Sequence, residues 1–211
     1  MPRLHQVSRA EASAPIVTTM YDLLFEDRDP VAEPGTATGT RGDWWPAFAN
    51  VPDILEHAVQ GFGIYQSPRR VLDPVLRELG QARAGWAAGS QFVFSQHCKA
   101  ARYAGVPDEK LRDLPAWSVS DVFDDVDRAI LAYTDQLVLE GGRVQDDVFA
   151  QLQRHLSDEA ILELTYLVAT YAMHATICRA LRLEYDDVPE RVTEVAAPGD
   201  ASADVMGQIS R

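Results

Sequence analysis

The stretch 76–105, LRELGQARAGWAAGSQFVFSQHCKAARYAG, decides the fold. Apolar side chains recur in it at three- and four-residue spacing with no alternating β-branched run, which predicts helix rather than strand. A helix over about 71–84 carries Glu78, the small residues of 85–89 predict a break, and a second helix carries His97 and stops at Gly105. A carboxylate thus stands one short helix upstream of an imidazole, a pair able to pass a proton to or from a bound substrate. At 100° per residue, Ser90, Val93 and His97 share one face of the second helix. A thiol enzyme would set two sulfurs one turn apart on that face. With Ser90 and Val93 there instead, acid–base chemistry is better supported than disulfide chemistry.

The same periodicity runs outward in both directions, and the class expected is all-α, a single-domain bundle of about seven or eight helices over 1–189. Upstream, a helix over 13–26 is followed by DRDPVAEPGTATGTRGDWWP, a loop or lid over about 27–46 whose Pro, Gly and Thr exclude regular structure. So long a loop is usually functional, and Trp45 near its end could close over a small apolar ligand. A helix over 53–65 follows. Downstream, Pro107 with Asp108 and Glu109 starts a turn. Ser118 with Asp121 suggests a capping box before a long helix that ends near Gly141 and Gly142. A shorter helix spans 146–155, and Ser157 opens a last helix, AILELTYLVATYAMHATICRALRL, apolar almost all round, as in a core centre or a subunit interface. Ala, Gly, Asp and Ser dominate 190–211, which reads as a flexible tail.

A formal net charge of -13 argues against a nucleic-acid partner, since no basic patch offsets it. Cys98 and Cys178 are too far apart in sequence for a CxxC pair, which suits a reducing compartment. The N-terminus lacks the apolar segment of a secretory signal, and no stretch is expected to reach the length of a membrane span. The expected location is cytoplasmic. Gly35, Gly39 and Gly42 lack the GxxxxGK[ST] pattern of a phosphate loop, and His57, His97, His155 and His174 lack close metal-ligand spacing. The reading calls for no metal, no cofactor and no membrane partner.

These motifs, in this order, resemble the carboxymuconolactone decarboxylases and the related alkylhydroperoxidase D-like proteins. The resemblance rests on PRLHQVSRAEA, RELGQARAGW, SQFVFSQHCKAARYAGV and LSDEAILELTYLVATYAMHATICRALRL, and implies the helical fold of that family. In its peroxidase branch a glutamate precedes a CxHC group and a histidine four residues later. Glu78 and His97 match the glutamate and the final histidine, while Ser90, Phe92 and Val93 replace the redox group. The lyase branch keeps the histidine and sets an aromatic a turn before it, where Phe94 stands.

The resemblance implies a small-molecule enzyme with His97 as general acid–base. Glu78 would orient His97 or shuttle its proton, with a pKa that burial brings nearer neutrality. Arg83 stands where the family often has arginine; it could bind a substrate carboxylate, or equally pair with a neighbouring acid. His174 is a hydrogen-bonded core residue or a pocket residue, and Ser90, Val93, Phe94 and Trp45 complete the candidate lining. The substrate implied is a small carboxylated or lactone-like molecule, and the assembly a homo-oligomer, trimer or hexamer. An alkylhydroperoxidase-like antioxidant enzyme and a non-catalytic oligomeric binding protein remain the alternatives.

Overall fold

Nine α-helices and no strand make up the described residues, 1–184, of the computed structural model. The all-α expectation holds. The proposed tail at 190–211 lies outside the described residues. The described residues form two compact units, one of Met1–Arg69 with the residues from Cys178 onward, the other Arg70–Ile177.

The first unit contains α1 (Pro15–Phe25), α2 (Trp44–Phe48) and α3 (Pro52–Phe62), with a 3-10 turn at Gly63–Gln66. Helix α2 was not expected: the sequence around it reads as loop, but Trp44 stacks on Phe48 at 3.7 Å and touches Phe62, so aromatic burial closes one turn. Glu184 fastens this segment. Its buried carboxylate accepts from the backbone N–H groups of Gly42 and Trp44, both at 3.0 Å, while its own N–H donates to Asp43 Oδ1 at 2.7 Å. Burial and the Asp43 charge push the Glu184 carboxyl well above the ordinary range.

The second unit is built around α4 (Pro74–Ala87), buried on every side from Glu78 to Gly85. It meets α5 (Gln91–Ala104), α6 (Asp108–Asp113) and the 3-10 segment Leu114–Val119 in one apolar cluster that includes Leu79, Ala82, Ala101, Leu111 and Leu114. A second cluster, with Ala84, Ile130, Leu152, Ile161 and Leu164, joins it to α7 (Asp125–Leu139), α8 (Asp146–Gln153) and α9 (Asp158–Leu181), of which the residues up to Ile177 belong to this unit. The capping box of α7 is Asp124 with Asp127, not Ser118 with Asp121. Asp127 N–H donates to Asp124 Oδ1 at 3.0 Å and Asp124 N–H to Asp127 Oδ2 at 3.2 Å, while Ser118 lies inside the 3-10 segment.

Two glycines of the 76–105 stretch act differently. Gly105 caps α5 at φ 101°, a left-handed conformation that other residues adopt at a cost. Gly85 was read as part of a break, yet it continues α4: a Cβ built there meets Phe94 N at 2.5 Å, so glycine is what lets the first turn of α5 lie against α4. Alanine is worth up to about 1 kcal/mol over glycine in a free helix, but a backbone atom cannot swing aside. Gly85→Ala is therefore expected to destabilise the protein by about 1–3 kcal/mol, as overpacking does. Urea unfolding measures this, and an unchanged or higher midpoint contradicts the close approach.

The expectation that no stretch could span a membrane needs correction. Helix α9 is long and apolar enough by length and composition, because residues 164–178 carry no Asp, Glu, Lys or Arg. A core helix of a soluble protein meets the same measure. One side of α9 is buried in the second cluster through Ile161, Leu164 and Val168, whereas Leu162, Tyr166 and Met173 are exposed.

Candidate functional site

Glu78 and His97 are set by the caps of their helices. Asp73 caps α4 by accepting from Val75 N–H at 2.7 Å, with Pro74 pre-shaped for the first position, and Glu78 follows in the second turn. Ser90 caps α5 by accepting from Val93 N–H at 3.2 Å, which places His97 in the second turn of that helix. The two positions where sulfurs would stand thus hold a buried capping hydroxyl and a buried apolar side chain.

Across the α4–α5 contact, His97 Nδ1 lies 2.8 Å from Glu78 Oε2, with side chains only 8% and 3% exposed. Glu78 Oε1 meanwhile accepts from Arg77 Nε at 2.9 Å and lies 2.7 Å from Arg77 Nη2. Burial is the largest influence on the Glu78 carboxyl and raises its pKa, but the hydrogen bond and charge of His97, joined by Arg77, outweigh it. The net effect lowers Glu78 below its ordinary value. This corrects the expectation of a carboxyl nearer neutrality. Burial and the His97 partner were foreseen, but the Arg77 guanidinium was not.

An ionised carboxylate can only accept, so Nδ1 of a neutral His97 carries the proton and Nε2 keeps its lone pair. Such an imidazole accepts a proton at Nε2, and the resulting imidazolium is stabilised by Glu78. From α9, Tyr171 sets its ring edge-to-face on His97 at 4.0 Å between centroids and lies 5.7 Å from the ring of His174. Burial first, and the His97 charge second, push His174 down to about 4, so this second imidazole is neutral at pH 7.

The other candidates are dispersed. Arg83 pairs with Asp135 through Nε at 2.6 Å and Nη2 at 2.9 Å, and its Nη1 donates to the carbonyls of Leu114 and Pro115. Five residues from Glu78, it is rotated by about 140° around α4. Its contacts are those of the ion-pair alternative. Phe94 packs on Trp86 at 5.3 Å and on the α4–α5 cluster. Trp45 is buried in the first unit, edge-on to Trp44 at 4.8 Å. Cys98 and Cys178 are both buried, and burial raises the Cys98 thiol to about 11.

Two neighbours of the pair escaped the sequence reading. Arg77 adjoins Glu78, and adjacent helix residues diverge, so spacing did not point to it. Tyr171 lies in the apolar last helix, where an aromatic reads as packing. Its three-residue offset from His174 puts both on one face of α9, the signal that could have joined them to the site.

Residues 52–136, which hold Glu78, Arg77 and His97, match the model of the Carboxymuconolactone decarboxylase family. The uncharacterized protein YnjA of Escherichia coli K12 is 29% identical over 139 residues, 65% of this chain and 74% of YnjA. Among solved structures, a protein of unknown function from Agrobacterium tumefaciens, provisionally described as the antioxidant defence protein AhpD, superposes with a TM-score of 0.58 at 21% identity. It covers 74% of this chain and 99% of its own. The debrominase Bmp8 is similar in its apo form, with a TM-score of 0.62 at 17% identity over 85% of this chain and 92% of its own. A Bmp8 cysteine-to-alanine variant with bound 2,3,4-tribromopyrrole matches at 0.61 and 18% identity, over 87% of this chain and 92% of its own. At such identities the structural likeness concerns the fold.

Proposed function

We propose that this chain belongs to the carboxymuconolactone decarboxylase family, whose model residues 52–136 match, and is a small-molecule enzyme that moves protons through His97, with Glu78 as its fixed counter-charge. The observation that carries the reading is the buried 2.8 Å contact between His97 Nδ1 and Glu78 Oε2. A buried carboxylate is costly unless paired, and this one gives one oxygen to the His97 imidazole and the other to Arg77 beside it. The chemistry proposed is loss of CO2, or another proton transfer, on a small carboxylated or lactone-like substrate. His97 Nε2 takes or returns the proton at carbon, which general acid–base catalysis assigns to a positioned group of suitable basicity. A panel of carboxylated lactones assayed for CO2 release and for deuterium uptake from D2O tests the reading, and activity that does not depend on His97 sinks it.

Thiol peroxidase chemistry is the weaker reading, despite the antioxidant description of the Agrobacterium neighbour. Ser90 and Val93 have no sulfur, and a thiol raised to about 11 is almost wholly protonated at pH 7. A Cys98→Ser, Cys178→Ser double variant should therefore keep its full turnover. Peroxide consumption with a dithiol reductant that vanishes in that variant would instead identify a thiol enzyme.

Self-association as a trimer or hexamer belongs to the same proposal, supported by the exposed apolar residues Leu162, Tyr166 and Met173 on α9. Mass measurement in solution decides it. A cytoplasmic location and independence from nucleic acid and membranes complete the proposal.

A further inference from the structure

Glu78 divides its two oxygens between two partners. Oε2 faces His97 Nδ1 at 2.8 Å, and Oε1 takes two Arg77 nitrogens, Nε at 2.9 Å and Nη2 at 2.7 Å. This is not the default for chain neighbours, because adjacent helix residues point about 100° apart. The Arg77 side chain nevertheless reaches its neighbour and is only 11% exposed there. An arginine fork often spans both oxygens of a carboxylate. Closed on one oxygen, it leaves the other for the imidazole.

We infer that Arg77 is the positioning residue of the relay: its fork on Oε1 fixes the Glu78 carboxylate plane and keeps Glu78 ionised, so that proton traffic stops at His97. The inference rests on the relay reading above. Burial alone drives a carboxylate toward its neutral form. A protonated Glu78 would offer no counter-charge to an imidazolium and could donate its own hydrogen to Nδ1. That would leave Nε2 holding a proton where the relay needs a lone pair. The charge of His97 comes and goes with its proton, whereas a guanidinium keeps its charge at every pH the protein meets. Facing the pair from α9 are Tyr171 and His174, and neither supplies a cation at pH 7. The hydrogen bond and charge of His97 lower the Glu78 carboxyl most, and Arg77 adds to them a charge that does not depend on the His97 proton.

The test is a titration of the full chain labelled with 13C at glutamate side-chain carboxyls, with the Glu78 signal assigned by its loss in Glu78→Gln. In Arg77→Met the Glu78 midpoint should rise by about one pH unit or more, the size of effect an adjacent opposite charge has on a carboxylate. Arg77→Lys, which keeps the charge, should stay near the wild type. The downfield Nδ1–H proton signal of His97 should be sharp in the wild type and broadened in Arg77→Met. If Arg77→Met does not fold, Arg77→Gln takes its place with the same expectation. A Glu78 midpoint that is the same in folded wild type, the neutral variant and Arg77→Lys overturns the inference. These titrations need no substrate, so their failure leaves the relay standing, while the relay fails separately if His97→Ala retains full turnover.

Discussion

Replacing His97 by alanine is expected to lower turnover by about a hundred- to ten-thousandfold, the range that a positioned general acid–base contributes. The loss should come with a moderate loss of stability, about 1–3 kcal/mol, because the buried Glu78 carboxylate loses one of its two partners. The substitution removes Nε2, the atom that handles the substrate proton, yet Glu78 is not left alone in the interior, because Oε1 remains within 2.9 Å of Arg77 Nε. The cavity left behind is that of one imidazole beside Tyr171, whose ring stood 4.0 Å from it. Turnover and thermal unfolding measured on the same preparation separate the two effects. A collapsed rate in a folded protein with a modestly lowered melting temperature is the expected pattern, and a native rate removes His97 from the chemistry. Glu78→Gln should act in the same direction but more mildly, since an amide can still accept from Nδ1–H and only the counter-charge is lost.

The second large effect is on the fold. Asp135→Ala is expected to destabilise the protein by about 3–5 kcal/mol, the cost of stranding a buried partner of an ion pair. Asp135 accepts from Arg83 Nε at 2.6 Å, from Arg83 Nη2 at 2.9 Å and from Trp117 Nε1 at 2.9 Å. Its removal leaves a guanidinium and an indole N–H without their acceptor. Arg83 sits on α4, Trp117 in the 3-10 segment and Asp135 on α7, so the cluster ties three segments of the second unit together. Arg83→Met, which replaces the cation with an apolar chain of similar length, should cost less than Asp135→Ala. Urea unfolding gives the order. A near-native Asp135→Ala protein, together with weakened substrate binding in Arg83→Met, would return Arg83 to the role of a carboxylate-binding residue.

Much of this arrangement is legible in residues 76–105. Three- and four-residue spacing located α4 and α5, Gly105 marked the end of α5, and the separation of Glu78 from His97 put a carboxylate and an imidazole on adjoining helices. Ser90 and Val93 told against thiol chemistry before any geometry was at hand. What sequence could not resolve were choices between equivalent local patterns. Ser118 with Asp121 reads as a cap, but Ser118 falls inside the 3-10 turn at Leu114–Val119 and the box is made by Asp124 with Asp127. Gly85 looked like a helix breaker because a glycine that permits close packing has the same composition as one that ends a helix. The ionisation of Glu78 was misjudged for a related reason. Burial can be guessed from apolar neighbours, whereas the fork of Arg77 depends on a side chain reaching the residue next to it, which helical spacing does not signal. His174 could be placed on a face of α9 but not given a state, which follows from its burial next to His97.

The central claim is that Glu78, held ionised, accepts a hydrogen bond from His97 Nδ1 and leaves Nε2 for the substrate. Long-range 1H–15N correlation of the His97 imidazole in the full chain tests it most directly, at a pH where the ring is neutral. The account predicts a protonated Nδ1 and an unprotonated Nε2, with the Nδ1–H signal shifted downfield by the carboxylate and changed in Glu78→Gln. A ring carrying its proton on Nε2, or an Nδ1 signal indifferent to Glu78→Gln, would contradict it.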